Sequence, residues 1–145
     1  MKRSVLFLCT GNSCRSQMAE GWARHLHGDS LEPHSAGIVA HGINPNAVQV
    51  MSESGVDISS QPSKTTEQLS RTDFDLVVTV CADADERCPI FPGTKRTVHR
   101  GFDDPPKLAQ NAQTDEERLT PYRRVRDEIR DFVREELLSL FDTQT

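Results

Sequence analysis

The apolar run Val5-Leu6-Phe7-Leu8 passes directly into Cys9-Thr10-Gly11-Asn12-Ser13-Cys14-Arg15-Ser16, and this transition constrains the chain more than any other feature. Met18, Ala19, Trp22, Ala23 and Leu26 then recur at helical spacing. The run reads as a buried strand over Ser4–Leu8, and the spaced residues as a helix that Gly28 stops. Between them, a cysteine, five small or polar residues and an arginine fit a loop wrapped around a tetrahedral oxyanion. Successive N–H groups in such a loop can point inward as an anion nest. The following helix adds the positive end of its dipole, and Arg15 can grip two oxygens with its planar fork. These positive groups also favour Cys9 as a thiolate beneath the anion. Ser16, at the helix start, can donate to that thiolate or cap the helix.

The rest of the chain repeats the alternation of strand and helix. His34–Gly37, Leu76–Val80 and Lys95–His99 read as further strands, with Leu76–Val80 apolar on both faces as in a covered parallel sheet. Asn44-Pro45 caps a second helix with the stripe Ala47, Val48 and Met51, ended by Gly55. Thr65–Leu69 reads as a short helix and residues 105–116 as a polar loop. Thr120-Pro121 opens the longest helix, with the stripe Val125, Ile129, Phe132, Val133, Leu137 and Leu140, before a frayed tail at Asp142–Thr145. The 145 residues suit a single domain, 1–145. The expected fold is α/β, three layers α/β/α around a central four-stranded, mostly parallel sheet.

A net charge of -5 favours neither nucleic acid nor an anionic membrane, so attraction for an anion must be local. No segment approaches the ~20 apolar residues of a membrane span. Met1-Lys2-Arg3 precedes an apolar run shorter than the roughly 7–15 residues of a signal-peptide core, so a cytoplasmic location is expected. The four cysteines then suggest catalytic, redox or metal roles rather than structural disulfides.

In a parallel sheet the C-terminal strand ends share one edge, where ligands bind. Cys9, Cys81 and Asp103-Asp104 each follow a predicted strand and so fall on that edge. Cys81-x6-Cys88 lacks the close-pair spacing of a zinc site and reads as a redox pair. A regular helix would keep two residues seven apart beyond disulfide reach, so closing the pair requires local unwinding. Asp104, beside Pro105, is the candidate general acid for a departing oxygen. Cys14 is a bystander or a local resolving thiol for Cys9. Trp22 and Phe132 read as core, and Arg123, Arg124, Arg126, Arg130 and Arg134 as a solvated helix face. The five histidines, His25, His27, His34, His41 and His99, show no metal spacing, and no metal site is expected.

Taken together, Cys9–Arg15, Ser16–Gly21, Ser35-Ala36-Gly37, Gly55–Ser59, Cys81 with Cys88, and Gly101–Pro105 resemble the thioredoxin-coupled arsenate reductases. These share the fold of the low-molecular-weight protein tyrosine phosphatases. The resemblance runs through nearly the whole chain. It implies reduction of arsenate to arsenite by a three-cysteine relay, with phosphate or sulfate as competing oxyanions. Thr10, Gly11, Asn12, Ser13, Cys14, Arg15 and Ser16 would hold the anion, Cys9 would attack arsenic and Asp104 would protonate the leaving oxygen. Cys81 and then Cys88 would take over the disulfide, and thioredoxin would reduce it. No cofactor is expected, and the sequence suggests a monomer. Some relatives bind potassium through residues resembling Asn12, Glu20, Ser35 and an acid; here that last place is Lys64, whose ammonium could replace the cation, so no potassium requirement is expected. The alternative from the same fold is a tyrosine or aryl phosphatase. The aromatic residues of a phosphotyrosine groove are not evident, since Pro105-Pro106 follow Asp104 and the chain has one tyrosine.

Overall fold

The computed structural model describes residues 2–88 and 91–141. In chain order the elements are β1 (Arg3–Cys9), α1 (Arg15–His27), β2 (Leu31–Gly37), α2 (Pro45–Glu53), a one-turn 3-10 helix (Thr66–Gln68), β3 (Leu76–Thr79), α3 (Ala82–Glu86), β4 (Thr97–His99), α4 (Pro105–Leu108), α5 (Asp115–Glu135) and α6 (Leu137–Phe141). The strands form one parallel sheet in the order β2-β1-β3-β4. Every residue of β1 from Ser4 to Cys9, and every residue of β3, is buried, as a sheet covered on both faces requires. Helices α1, α2 and α5 pack together as one layer, while α3 rests on β1 and β3. The α/β/α arrangement around a four-stranded parallel sheet is the one expected from the alternation of strand and helix. No helix among the described residues is long and apolar enough to cross a membrane.

The departures from expectation lie at boundaries, and each has a local cause. Strand β2 begins at Leu31 rather than His34 and carries Pro33, tolerated because β2 is an edge strand. Helix α5 begins at Asp115, well before Thr120-Pro121. A capping box at Thr114 starts it: the Glu117 N–H donates to Thr114 Oγ1 at 3.1 Å and the Thr114 N–H to Glu117 Oε2 at 3.1 Å. Asp115, Glu116 and Glu117 then fill the first turn, where the helix dipole favours acids. Pro121 is therefore interior to the helix. The expected loop over 105–116 contains α4, opened by Pro105-Pro106. Leu137 and Leu140 belong to α6, because α5 ends at Glu135. The tail Asp142–Thr145 lies outside the described residues.

Trp22 and Phe132 are buried, and the Trp22 indole N–H donates to Arg126 O at 3.1 Å. The arginine face of α5 is only partly solvated. The Arg126 side chain is 12 % exposed and donates to Val50 O at 2.9 Å and Glu53 at 3.0 Å, fastening α5 to the end of α2. Arg123 meets the same Glu53 at 2.8 Å. The stems of these arginines cover apolar surface while their heads satisfy carbonyls and acids.

Candidate functional site

The loop after β1 is held from outside by its carbonyls. Cys9 O accepts from the Ile38 N–H at 3.3 Å, Thr10 O from Val39 at 2.9 Å, Gly11 O from His41 at 2.9 Å and Ser13 O from Asn44 at 2.9 Å. Asn12 O accepts from Gln17 Nε2 at 3.0 Å. Across a trans peptide the carbonyl of one residue and the N–H of the next point opposite ways. With five consecutive carbonyls turned outward, the following N–H groups turn toward the concave side, which is the geometry of an anion nest. Asn12 sits at φ 47°, a left-handed conformation that asparagine tolerates better than most residues. Gly37, paired with Cys9 across the sheet, is required for another reason: a Cβ there would lie 2.3 Å from Val39 O and 2.6 Å from Asn12 N.

Helix α1 starts immediately after the loop and leaves its N-terminus open to the pocket. Cys14 occupies the N-cap without a side-chain hydrogen bond, and the first turn carries no acid. By contrast α2 is capped by Asn44 and α5 by Thr114. The unsatisfied N–H groups and positive dipole of α1 therefore face the loop.

Cys9 is 3 % exposed, with its Sγ 2.9 Å from Ser16 Oγ. Asn12 Nδ2 donates to Ser16 Oγ at 2.8 Å and to Ser35 Oγ at 3.0 Å. Ser16 Oγ is thus an acceptor from Asn12, and its own hydrogen is available to the sulfur. The Asn12 amide is oriented by the Lys64 backbone N–H, which donates to Asn12 Oδ1 at 2.8 Å. Ser35 in turn donates to Glu20 Oε1 at 2.5 Å, and Arg24 Nη2 to Glu20 Oε2 at 2.8 Å. The cation beside Glu20 is therefore Arg24. Lys64, expected there from the sequence, reaches this network through its backbone.

Arg15 Nη1 donates to Phe102 O at 3.1 Å, and Nη2 lies 3.6 Å from Asp104 Oδ1. Phe102 is itself set edge-on to Phe132, at 5.9 Å between ring centroids, so the buried core positions the carbonyl that holds Arg15. Asp103 turns away to Arg124 at 2.9 Å, which separates the two neighbouring acids. Cys9, Thr10, Gly11, Ser13, Cys14, Arg15, His41, Asp104 and Pro106 line a pocket of 310 Å³.

The parallel register brings a second thiol against Thr10 of this loop, although Cys81 is not among the residues that line the pocket. Leu8 pairs with Thr79, so β1 and β3 end together. Cys81, 4 % exposed, lies 3.3 Å from Thr10 Oγ1 through its Sγ and accepts the Ala84 N–H at 3.4 Å. Cys88, half-buried, follows α3 and packs against the core. All four cysteines are free thiols. Burial pushes the Cys14 thiol well up from its ordinary range; the charge of Cys9 adds to this, Arg15 opposes it and Asp104 adds again. This upward push disfavours the thiolate that a local resolving role for Cys14 would need.

Among the described residues no group of three or more His, Cys, Asp or Glu side chains could hold a metal ion. The sequence reading missed segment 38–44, whose N–H groups brace the loop, and with it His41 on the pocket wall. Backbone donors leave no residue-type signal, so only the fold could reveal them.

A family model described as low molecular weight phosphotyrosine protein phosphatase matches residues 4–143. The "Arsenate reductase" of Halalkalibacterium halodurans is 56% identical over 128 residues, covering 88% of this chain and 90% of that protein. A solved structure described as "An arsenate reductase in the phosphate binding state" superposes with a TM-score of 0.79 at 31% identity, covering 96% of this chain and 98% of that one. A Corynebacterium glutamicum thioredoxin-dependent arsenate reductase superposes with a TM-score of 0.66 at 29% identity, covering 99% of this chain and 64% of that one.

Proposed function

Because the chain belongs to the low molecular weight phosphotyrosine protein phosphatase family, we propose that it reduces arsenate to arsenite with three thiols, Cys9, Cys81 and Cys88, and takes its electrons from thioredoxin. The observation that carries this reading is the Thr10–Cys81 contact of 3.3 Å, which fastens a second buried thiol to the anion loop. A phosphoryl-transfer enzyme has no use for that thiol, whereas a reductase needs it. The names of the relatives and the thioredoxin dependence of the C. glutamicum protein point the same way.

In the proposed reaction the loop N–H groups and Arg15 hold arsenate above Cys9. The Cys9 thiolate, receiving the Ser16 hydrogen bond, attacks arsenic and forms an S–As bond. Asp104 gives its proton to the departing oxygen, which leaves as water. The Cys81 thiolate then attacks Cys9 Sγ. The S–S bond forms as the S–As bond breaks, and that electron pair stays on arsenic, taking As(V) to As(III), which departs as arsenite. Cys88 attacks Cys81, frees Cys9 as a thiolate and leaves the disulfide at Cys81–Cys88. Thioredoxin's dithiol reduces it by the same exchange. Phosphorus cannot accept an electron pair in this way, so phosphate would bind without turnover.

The test is arsenate-dependent NADPH oxidation with thioredoxin and thioredoxin reductase, for wild type and for Cys9→Ser, Cys81→Ser and Cys88→Ser. Steady turnover is expected in the wild type alone, with Cys81→Ser accumulating the Cys9 adduct. Wild-type turnover in Cys88→Ser would overturn the relay. An inactive wild type that hydrolyses aryl phosphates efficiently would favour the phosphatase instead.

A further inference from the structure

We propose that His41 is a substrate-binding residue of the oxyanion pocket, its imidazole donating to the oxygen of the bound tetrahedral anion that faces the rim. This rests on the oxyanion reading of the pocket and adds to it a group that the loop motif does not contain.

The position of His41 is set by its backbone. Its N–H donates to Gly11 O at 2.9 Å, and two residues earlier Val39 donates to Thr10 O at 2.9 Å. On the other side the Gly42 N–H donates to Ser63 Oγ at 3.1 Å, and that hydroxyl reaches Gly11 O at 3.4 Å. The ring lies against Gly11, where a Cβ would come within 2.6 Å of His41 Nδ1. The missing side chain at position 11 is therefore what gives the imidazole its place on the pocket wall.

The chemistry of the wall favours a donor here. Of the nine lining residues, Arg15 and His41 are the two whose side chains carry N–H groups. Arg15 is shared with Phe102 O and Asp104. The anion must settle next to the Cys9 sulfur and the Asp104 carboxylate, in a chain of net charge -5. A tetrahedral anion held by the loop N–H groups and Arg15 still turns one oxygen to the mouth, where Asp104 and His41 stand. Imidazole has a donor whether neutral, through one nitrogen, or protonated, through both. His41 can therefore serve that oxygen in either state.

Two substitutions separate the donor from the bulk. His41→Phe keeps a ring against Gly11 without an N–H, and His41→Gln keeps an amide donor. The inhibition constant of inorganic phosphate and the KM for arsenate should each rise about tenfold in His41→Phe, with kcat within about threefold, as expected for loss of a hydrogen bond to a charged group. His41→Gln should recover most of the affinity. Unchanged phosphate binding in His41→Phe, or equal loss in both variants, would overturn the proposal. Phosphate titration of the 15N-labelled wild type gives a second reading that needs no variant. The His41 ring nitrogens should shift with the same midpoint as the amides of Gly11 to Arg15. Loop amides that move while the ring does not would refute the role of His41. A wild type in which neither moves would instead refute the oxyanion pocket itself.

Discussion

Gly37→Ala is the sharpest test of how the anion loop is built. Gly37 has no φ in the left-handed region, so an alanine faces no backbone penalty and the effect is purely steric. The added Cβ would stand 2.3 Å from Val39 O, 2.6 Å from Asn12 N and 2.9 Å from Gly11 C. Ordinary contacts begin near 3.5 Å, so the nearest atom must retreat by about 1 Å. All three obstacles are backbone, and two belong to the anion loop. They cannot be relieved by a rotamer change; either β2 or the loop must shift. A displacement of about 1 Å in a site that depends on aligned N–H groups costs on the order of 100-fold in rate. Overpacking of this kind destabilises by about 1–3 kcal/mol, which lowers Tm by roughly 2–10 °C in a chain of this length. The informative comparison is Gly11→Ala, for whose Cβ the three nearest atoms all belong to the exposed ring of His41, the closest at 2.6 Å. That ring can swing away, so Gly11→Ala should lose about tenfold or less in kcat/KM, and adding it to His41→Ala should cost nothing beyond the loss that His41→Ala causes alone. The assay is thioredoxin-coupled NADPH oxidation with arsenate, beside calorimetric Tm. Near-wild-type kcat/KM in Gly37→Ala would refute the idea that this close approach shapes the loop.

Other expectations follow from single contacts. Ser16→Ala removes the hydroxyl 2.9 Å from Cys9 Sγ; loss of a hydrogen bond to a charged group is worth about 1.5–3 kcal/mol, so Cys9 alkylation by iodoacetamide at neutral pH should slow at least tenfold, and an unchanged rate would discount Ser16. Cys81 and Cys88 flank α3, and seven residues of regular helix rise roughly 10 Å against the about 7 Å a disulfide spans, so oxidising the pair should speed amide exchange across residues 82–86. Unaltered exchange in the oxidised protein would show that the helix closes the bond without unwinding. Asp75 is partly buried, which alone would raise its carboxyl. The Ser4 N–H at 2.8 Å and the Lys95 ammonium at 3.1 Å outweigh that and hold it below the ordinary range. A carboxylate depressed in this way stabilises the fold above its unfolded value of about 3.9 and loses that contribution as pH falls through the lower folded value. Stability to urea should therefore fall between about pH 5 and 3, and less steeply in Asp75→Asn; identical slopes would refute the assignment.

Much of the framework was legible in residue order. The apolar runs at β1 and β3, the stripe of α1 and the Asn44-Pro45 start of α2 each carry a local signal strong enough to override neighbours. The start of α5 was legible too, in the Thr114–Glu117 capping box, but the Thr120-Pro121 pair masked it because proline is commoner at a first turn than inside a helix. The residue types of the loop, Cys9 with Arg15, point to an oxyanion because few other ligands call for a sulfur, small residues and a guanidinium at that spacing. Asp104 was preferred over Asp103 from its place beside Pro105, but the contact that separates the two acids was not legible. It depends on Arg124, 21 residues away, drawing one acid outward.

By itself the sequence marked the candidate site residues and the common edge on which β1, β3 and β4 end. Only the tertiary structure decided how those groups are supported. The brace of N–H groups from Ile38 to Asn44, the two hydrogen bonds by which Ser35 joins Asn12 to Glu20 behind Cys9, and the ring of His41 over Gly11 are contacts between segments distant in sequence. Several use backbone atoms that every residue possesses. A sequence records side chains and their spacing; it does not record which carbonyl is turned outward, and here that orientation gives the loop after β1 the geometry of an anion nest.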